Sequence, residues 1–414
     1  MKTTATHRGL LCLSACIITW LSVAVAQTPP AAGALSEDQL PPRDKPLYHC
    51  ARLAAEWLYQ ANETDGRFRP GLNPAVNMPL PDEGFIPQAH AARALAQAAR
   101  IFGEGRYGAR AKQAILTLLA QTKLDSQNAN IRYTTLPTAA LNKATAASLT
   151  VWAIHELPDP AKDLLEQSEQ LVNFLRTTQA ADGSFVIGEQ PAALPHQKPD
   201  GLAQQHLATH GIILAALVRS HGRSPAVWKL ESARKALAFY HSHWQANRMT
   251  GPTPGLMIGF ADAYRLTREK SYADAVLEMG DWLLSLQYVT NNQQPLWEGG
   301  FASWKEGKLE STLPTTAAAP LLEALGAALQ TANAVGDAGR VERFRSAIER
   351  GGQFLITQQY TSANVTHYAD WFQRGLVGSF FTSFEMGANP LAGTAWATSA
   401  LAGCLPELAQ AKPK

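Results

Sequence analysis

Acidic, aromatic and guanidinium side chains fall together in a few irregular stretches of this 414-residue sequence. One carries Arg67, Arg69, Asp82 and Glu83, and a second carries Arg132 and Tyr133. A third holds Asp200, with His206 just inside the helix expected next. Two more hold Trp297, Glu298 and Trp304, and then His367, Tyr368, Asp370, Trp371 and Arg374. Carboxylates facing one another across a cleft can divide general acid and general base work. Aromatic rings stack on the flat faces of sugars, and a guanidinium grips a carboxylate through two parallel hydrogen bonds. The set suits a glycan, one bearing uronic acids included.

Glu298 precedes Gly299-Gly300, a pair that lets the backbone come close to a ligand or to a neighbouring helix. Asp370 lies between Tyr368 and Trp371, rings able to shield its carboxyl from water and keep it an acid. These two are the first catalytic candidates, with Asp82, Glu83 and Asp200 behind them. The substrate-binding candidates are Arg67, Arg132, Tyr133, His206, Trp297, Trp304, Tyr368, Trp371 and Arg374. The plainer reading is that loop carboxylates are solvated and that Trp297 and Trp371 plug a mouth. His206 and His210, four apart on one helix face with His196 and Asp200 upstream, are weak zinc candidates. No Glu stands between them as in HExxH, so neither a metal nor another cofactor is expected. No phosphate-cradling glycine loop and no Gly-x-Ser-x-Gly elbow occurs; Gly103-Glu104-Gly105 reads as a turn.

The elements that must position these groups are helical almost throughout, because the apolar residues recur at helical period and rarely alternate. Twelve helices are expected, near 47–61, 87–102, 107–121, 138–156, 161–178, 202–219, 225–245, 255–267, 272–287, 316–335, 338–358 and 391–408. Connections after the even-numbered helices are short. Those after the odd-numbered ones are mostly long: 62–86, 122–137, 179–201, 246–254, 288–315 and 359–390. In a ring of antiparallel helices alternate connections emerge on opposite rims, so the long ones gather on one rim. Loops of that length in a compact domain are usually functional. The expected fold is an all-α toroid of six helical hairpins with one decorated face.

A repeat supports this. An aromatic-Leu pair precedes an amide by four residues at Trp57-Leu58…Asn62, Phe174-Leu175…Gln179, Trp282-Leu283…Gln287 and Phe354-Leu355…Gln359. The aromatic-Leu pair anchors a helix end, and the amide is placed to cap that helix's last carbonyls. In the first two copies Asp65-Gly66 and Asp182-Gly183 then reverse the chain.

The pattern resembles the six-hairpin α/α-toroid proteins, an architecture shared by many glycosidases, polysaccharide lyases, sugar epimerases and terpenoid cyclases. The run Phe174-Leu175…Gln179…Gly183-Ser184-Phe185 is similar to the glutamine–aromatic repeat of squalene cyclases. The runs Met279-Gly280-Asp281-Trp282-Leu283, Leu296-Trp297-Glu298-Gly299-Gly300-Phe301 and Tyr368-Ala369-Asp370-Trp371 look more like a group of secreted bacterial toroid proteins of unsettled activity. The resemblance spans most of the chain after residue 46. It departs from squalene cyclases in one respect: their Asp-rich protonating motif has no counterpart, and Asp370 stands alone. It implies a carbohydrate-active protein, a hydrolase, lyase or epimerase. A toroid that binds a glycan or a protein without turnover, and a cleft for an apolar isoprenoid ligand, are the alternatives. The apolar stretch Phe380 to Met386 favours the non-catalytic one, as an aromatic floor or interface.

Met1 to Ala26 reads as a secretory signal: Lys2 and Arg8, an apolar stretch, then Ala24-Val25-Ala26. A lipoprotein box ending at Cys16 fits less well, because the apolar run continues past it. Residues 27–46, rich in proline, read as a flexible leader to a toroid domain at 47–410. The expected location is periplasmic or secreted, with no transmembrane segment. The chain has 36 Lys plus Arg against 34 Asp plus Glu, and Lys2 and Arg8 leave with the signal. The near-zero charge that remains argues against a nucleic-acid partner. The expected ligand is a glycan or another small molecule or polymer. Processing leaves Cys50 and Cys404, and one pair in an exported chain suggests a disulfide joining first and last helices. Two buried thiols are the alternative.

Overall fold

A computed structural model describes residues 34–82, 84–136, 142–187, 202–289, 294–305 and 307–410, the side chains of 202–207 excepted. Six helices form an outer ring: α1 (Lys45–Ala61), α3 (Gly105–Leu119), α5 (Lys162–Thr177), α7 (Val227–Ala246), α9 (Lys270–Leu286) and α11 (Ala338–Thr357). Six form an inner ring: α2 (Phe85–Phe102), α4 (Lys143–Glu156), α6 (Leu202–Arg223), α8 (Thr253–Thr267), α10 (Ala319–Val335) and α13 (Leu391–Gln410). A short helix, α12 (Asp370–Leu376), lies inside the last connection, where a loop was expected. Each inner helix packs on the next, and α13 returns to α2, so the ring closes.

Composition explains which helices go inside. The outer helices are amphipathic and bury one face. In α4 every residue from Ala144 to Glu156 is buried, and the other inner helices are rich in alanine and glycine. Small residues let neighbouring backbones meet. A Cβ on Gly211 of α6 would sit 2.4 Å from the Leu256 backbone nitrogen of α8.

The repeated amide does not cap its own helix as expected. Gln179 Nε2 donates to Gly183 O of its turn (3.1 Å) and to Ser232 O of α7 (2.9 Å). Gln287 donates to Gly299 O and to Ala347 O of α11, and Gln359 to Gly378 O and to Cys50 O of α1. Each glutamine therefore staples one outer helix to another, and Gln359 closes the ring. Asn62, one methylene shorter, reaches only Gly66 O of its own turn. The turn glycines have no alternative. Gly299 has φ 84°, and a Cβ there would lie 2.0 Å from Arg350 O. Asp65 and Asp182 each accept from a backbone N–H two residues on, which is turn chemistry.

The disulfide is absent: Cys50 and Cys404 are buried free thiols. Helices α1 and α13 do pack together, but Cys404 faces α10, where its thiol donates to Leu322 O at 3.6 Å. Residues 34–44, within the segment expected to be a flexible leader, form two 3-10 turns with Leu40 and Asp44 buried. Asp44 pairs there with Arg345 of α11 at 3.2 Å.

Candidate functional site

Because the long connections run from outer to inner helices, they surround the N-terminal ends of the inner ring. That rim carries the expected acids that are described, Asp82, Glu298 and Asp370. Asp370 opens α12 and is exposed, so Tyr368 and Trp371 do not enclose it; Trp371 is itself 68% exposed. Asp82 is exposed and ion-paired with Arg67. Glu298 is half-buried beside Gly299, and Trp297 contacts Tyr288 with ring centres 5.3 Å apart. Arg132 is committed to Gln170 and Thr122, both at 2.9 Å, which pins the hairpin of β1 and β2 (Thr122–Leu124 and Arg132–Thr134) to α5. Lys143 lies over the Tyr133 ring at 4.8 Å. Trp304 packs edge-on against Trp282 at 5.7 Å, a wall contact. Tyr368 stacks on His367 and Arg374 is exposed. Of the apolar stretch after Phe380, only Phe384 and Met386 are well exposed, while Phe380 is core.

Glu83, Asp200 and the His206 side chain lie outside the described residues. His210 contacts Tyr240 with ring centres 5.1 Å apart. Among the described residues no group of three or more metal-type donors occurs.

A second constellation, which the sequence reading missed, lies inside the ring. Helix α10 keeps one stripe partly accessible while its other faces are buried: Pro320, Glu323, Ala327 and Gln330. That spacing is one face of a helix, and it borders a lumen. Nearest the mouth, His90 of α2 meets Trp396 of α13 edge-on, with ring centres 5.9 Å apart. About one turn deeper, Arg93 of α2 holds the Glu323 carboxylate of α10 with both terminal nitrogens, Nη1 to Oε2 at 3.2 Å and Nη2 to Oε1. The Arg93 guanidinium also lies 3.7 Å from the ring centre of Trp152 in α4. Ala215 and Ile258 from α6 and α8 pack around Trp152. Below this layer Glu156, 1% exposed, receives Arg100 at 2.7 Å and Arg219. Arg219 continues to Asp262 at 2.8 Å, and Arg265 to Asp262 at 3.2 Å. This ionic layer fills the lumen toward the short-connection rim.

Electrostatics separates the two layers. Burial alone would raise the Glu156 carboxyl, but Arg219, Arg100 and Arg93 overrule it and hold it well below the usual carboxylate range. Breaking such a buried network by removing one partner costs about 3–5 kcal/mol, so the lower layer is a structural floor. His90 is pushed down to about 3 by burial, with the Arg93 charge adding to it, and stays a neutral imidazole. Glu323 and Arg93 differ in access: the Glu323 side chain is 11% exposed and Arg93 3%, so Glu323 is the more accessible of the pair. A neutral imidazole, two indoles and an arginine-held carboxylate converging on one space can orient and polarise a hydroxyl-bearing ligand. The available signal was the presence of charges within otherwise apolar inner helices: Arg93, Glu156, Arg219, Asp262 and Glu323. Charges are seldom fully buried without a partner, so such residues announce a buried network.

No family model matches the chain, and no curated protein sequence matches it. Solved structures do. A cellobiose 2-epimerase from Bacillus thermoamylovorans B4167 superposes with TM-score 0.59 and 12% identity, covering 86% of this chain and 98% of the epimerase. An unsaturated glucuronyl hydrolase specific for heparin gives 0.58 and 12%, covering 88% and 98%. A type II terpene cyclase from Scytonema, in complex with its product merosterolic acid A, gives 0.50 and 12%, covering 88% and 99%. Identity this low establishes the fold alone. The chain is a six-hairpin α/α toroid, the architecture that those sugar-acting enzymes and the terpene cyclase have in common.

Proposed function

We propose that the chain is an exported carbohydrate-active enzyme, a hydrolase, lyase or epimerase, that takes a polysaccharide, uronate-bearing polymers included, into the long-connection mouth. The observation that carries this reading is the Glu323 carboxylate, gripped by Arg93 over Trp152, below His90 and Trp396. The indole faces suit pyranose rings, and the carboxylate accepts hydrogen bonds from hydroxyls. An isoprenoid has no hydrogen bonds to offer an ion pair at the base of its cleft, so the polar lumen favours a sugar over an apolar ligand. In this reading Glu323 acts on the bound sugar as base or charge stabiliser, and the rim supplies the second acid, with Glu298 ahead of the exposed Asp370. Export to the periplasm or exterior rests on residues 1–26, and no helix among the described residues is long and apolar enough to cross a membrane.

A glycan-binding toroid without turnover is the second reading. It draws on the commitment of both Glu323 oxygens to Arg93. Incubation with neutral and uronate-containing polysaccharides, followed by mass analysis of products, decides between them. Cleaved, unsaturated or epimerised sugar is the expected result. Binding with no product of any kind would transfer the assignment to the silent toroid.

A further inference from the structure

The rim around the mouth is uneven. Five of its six connections run to 23 residues or more, whereas α7 reaches α8 through residues 247–252 alone. The wall is notched at that one hairpin. Arg248 stands in the notch, exposed, with its guanidinium 5.5 Å from the Trp244 ring centre and no carboxylate of the described residues paired to it. From Arg248 a groove of about 480 Å³ runs along the outer face of α9 to Arg340 of α11. Asp274, Glu278 and Asp281 project into it from one face of α9, with the exposed Ser285 nearest the mouth. A second groove of about 310 Å³ shares Asp274, Leu277 and Arg340 and continues the track.

Each α9 carboxylate in this track has a hydrogen-bond or ion-pair partner. Lys270 holds Asp274, His241 and Gln245 hold Glu278, and Arg340 and Arg343 hold Asp281. What remains is a row of donors and acceptors, with the Arg248 guanidinium unpaired by any described carboxylate at the mouth end and Arg268 likewise at the far end. Its floor residues Leu277 and Trp282 are only 6% and 5% exposed. A polyhydroxylated chain matches that row, and a sugar carboxylate matches Arg248.

We propose that the notch and groove are the exit track of a polysaccharide whose end lies in the lumen above Arg93 and Glu323. The inference rests on the glycan reading and adds a mode to it: the polymer is taken by its end. The layer of Glu156, Arg219 and Asp262 lies toward the far side of the lumen, and the shortest connection of this rim is the one between α7 and α8.

The test compares polygalacturonate and a neutral β-glucan with the trisaccharide of each, by titration calorimetry on the full processed chain. Ser285→Trp fills the groove without touching the lumen, and Arg248→Ala removes the guanidinium. Both variants should weaken binding of the preferred polymer about tenfold while leaving its trisaccharide within about twofold. Unchanged polymer binding in both variants would overturn the track and leave the glycan reading standing. An equal loss for polymer and trisaccharide would do the same, by placing the effect in the mouth. Failure of the unaltered chain to bind either polymer would remove the glycan reading and the track with it.

Discussion

Mild acid should destabilise this fold through two histidines. His155 is buried and His90 partly so, and burial pushes both imidazoles down from 6.5 to about 3. Cationic neighbours add to the effect, Arg93 at His90 and Arg223, Lys229 and Arg219 at His155. Their folded values lie below the unfolded one, so the unfolded chain binds the extra protons. The stability they contribute is complete above 6.5 and is lost as the pH falls from 6.5 toward 3. Each neutral imidazole costs roughly tenfold in the folding equilibrium per pH unit across that window, and the two together roughly a hundredfold. Glu156 pulls in the same direction but only below its ordinary value of 4.5; His221, also lowered by burial, adds to the slope, while Asp44, Glu349 and Glu407, raised by burial, oppose it. Urea midpoints followed by circular dichroism from about pH 7.5 down to about pH 5 read the slope directly. His155→Gln and His90→Gln should each reduce it, by up to about tenfold in the folding equilibrium per pH unit, whatever they do to the midpoint at neutral pH. A midpoint that does not move across the window, or variants that keep the full slope, would refute the burial argument.

Gly299→Ala should cost more than about 2 kcal/mol in urea unfolding, because φ is positive and the new Cβ meets Arg350 O. Gly307→Ala, equally positive in φ but facing open space, should cost only about 1 kcal/mol. Gln359→Leu removes the staple to Cys50 O and Gly378 O and should destabilise by about 1–3 kcal/mol, more than Asn62→Ala with its single bond. A reducing agent should leave the melting temperature unchanged, and thiol reagents should modify Cys50 and Cys404 only after denaturation, since burial pushes both thiols up. A melting temperature that drops on reduction would reinstate the disulfide.

The helices were legible because their information is local. Apolar spacing and breakers placed all twelve long helices to within a few residues. The α10 start was set early at 316 because Thr316–Ala318 is a 3-10 turn leading into it. Helix α12 escaped because seven residues hold barely two periods of any pattern. Features that depend on distant partners were not readable. Proline made residues 27–46 look flexible, yet Asp44 is fixed by Arg345, far along the chain. The amides were assigned to the nearest carbonyls, but their second acceptors sit on another outer helix. For the site, choosing acids because they lie on loops favoured Asp370 and Asp82, which face water or a neighbouring arginine. The lumen acids stayed hidden because Glu323 and Glu156 look like ordinary helix residues until the ring shows which stripe points inward.

The most direct test sets the lumen acid against the rim acids. Turnover and binding of a glycan accepted by the unaltered chain would be measured for Glu323→Gln, Glu298→Gln and Asp370→Asn, each first shown by circular dichroism to be folded. The account predicts that Glu323→Gln loses turnover by at least about a hundredfold while retaining binding, and that Asp370→Asn stays near the unaltered rate. Full turnover in Glu323→Gln would contradict it and return the chemistry to the rim.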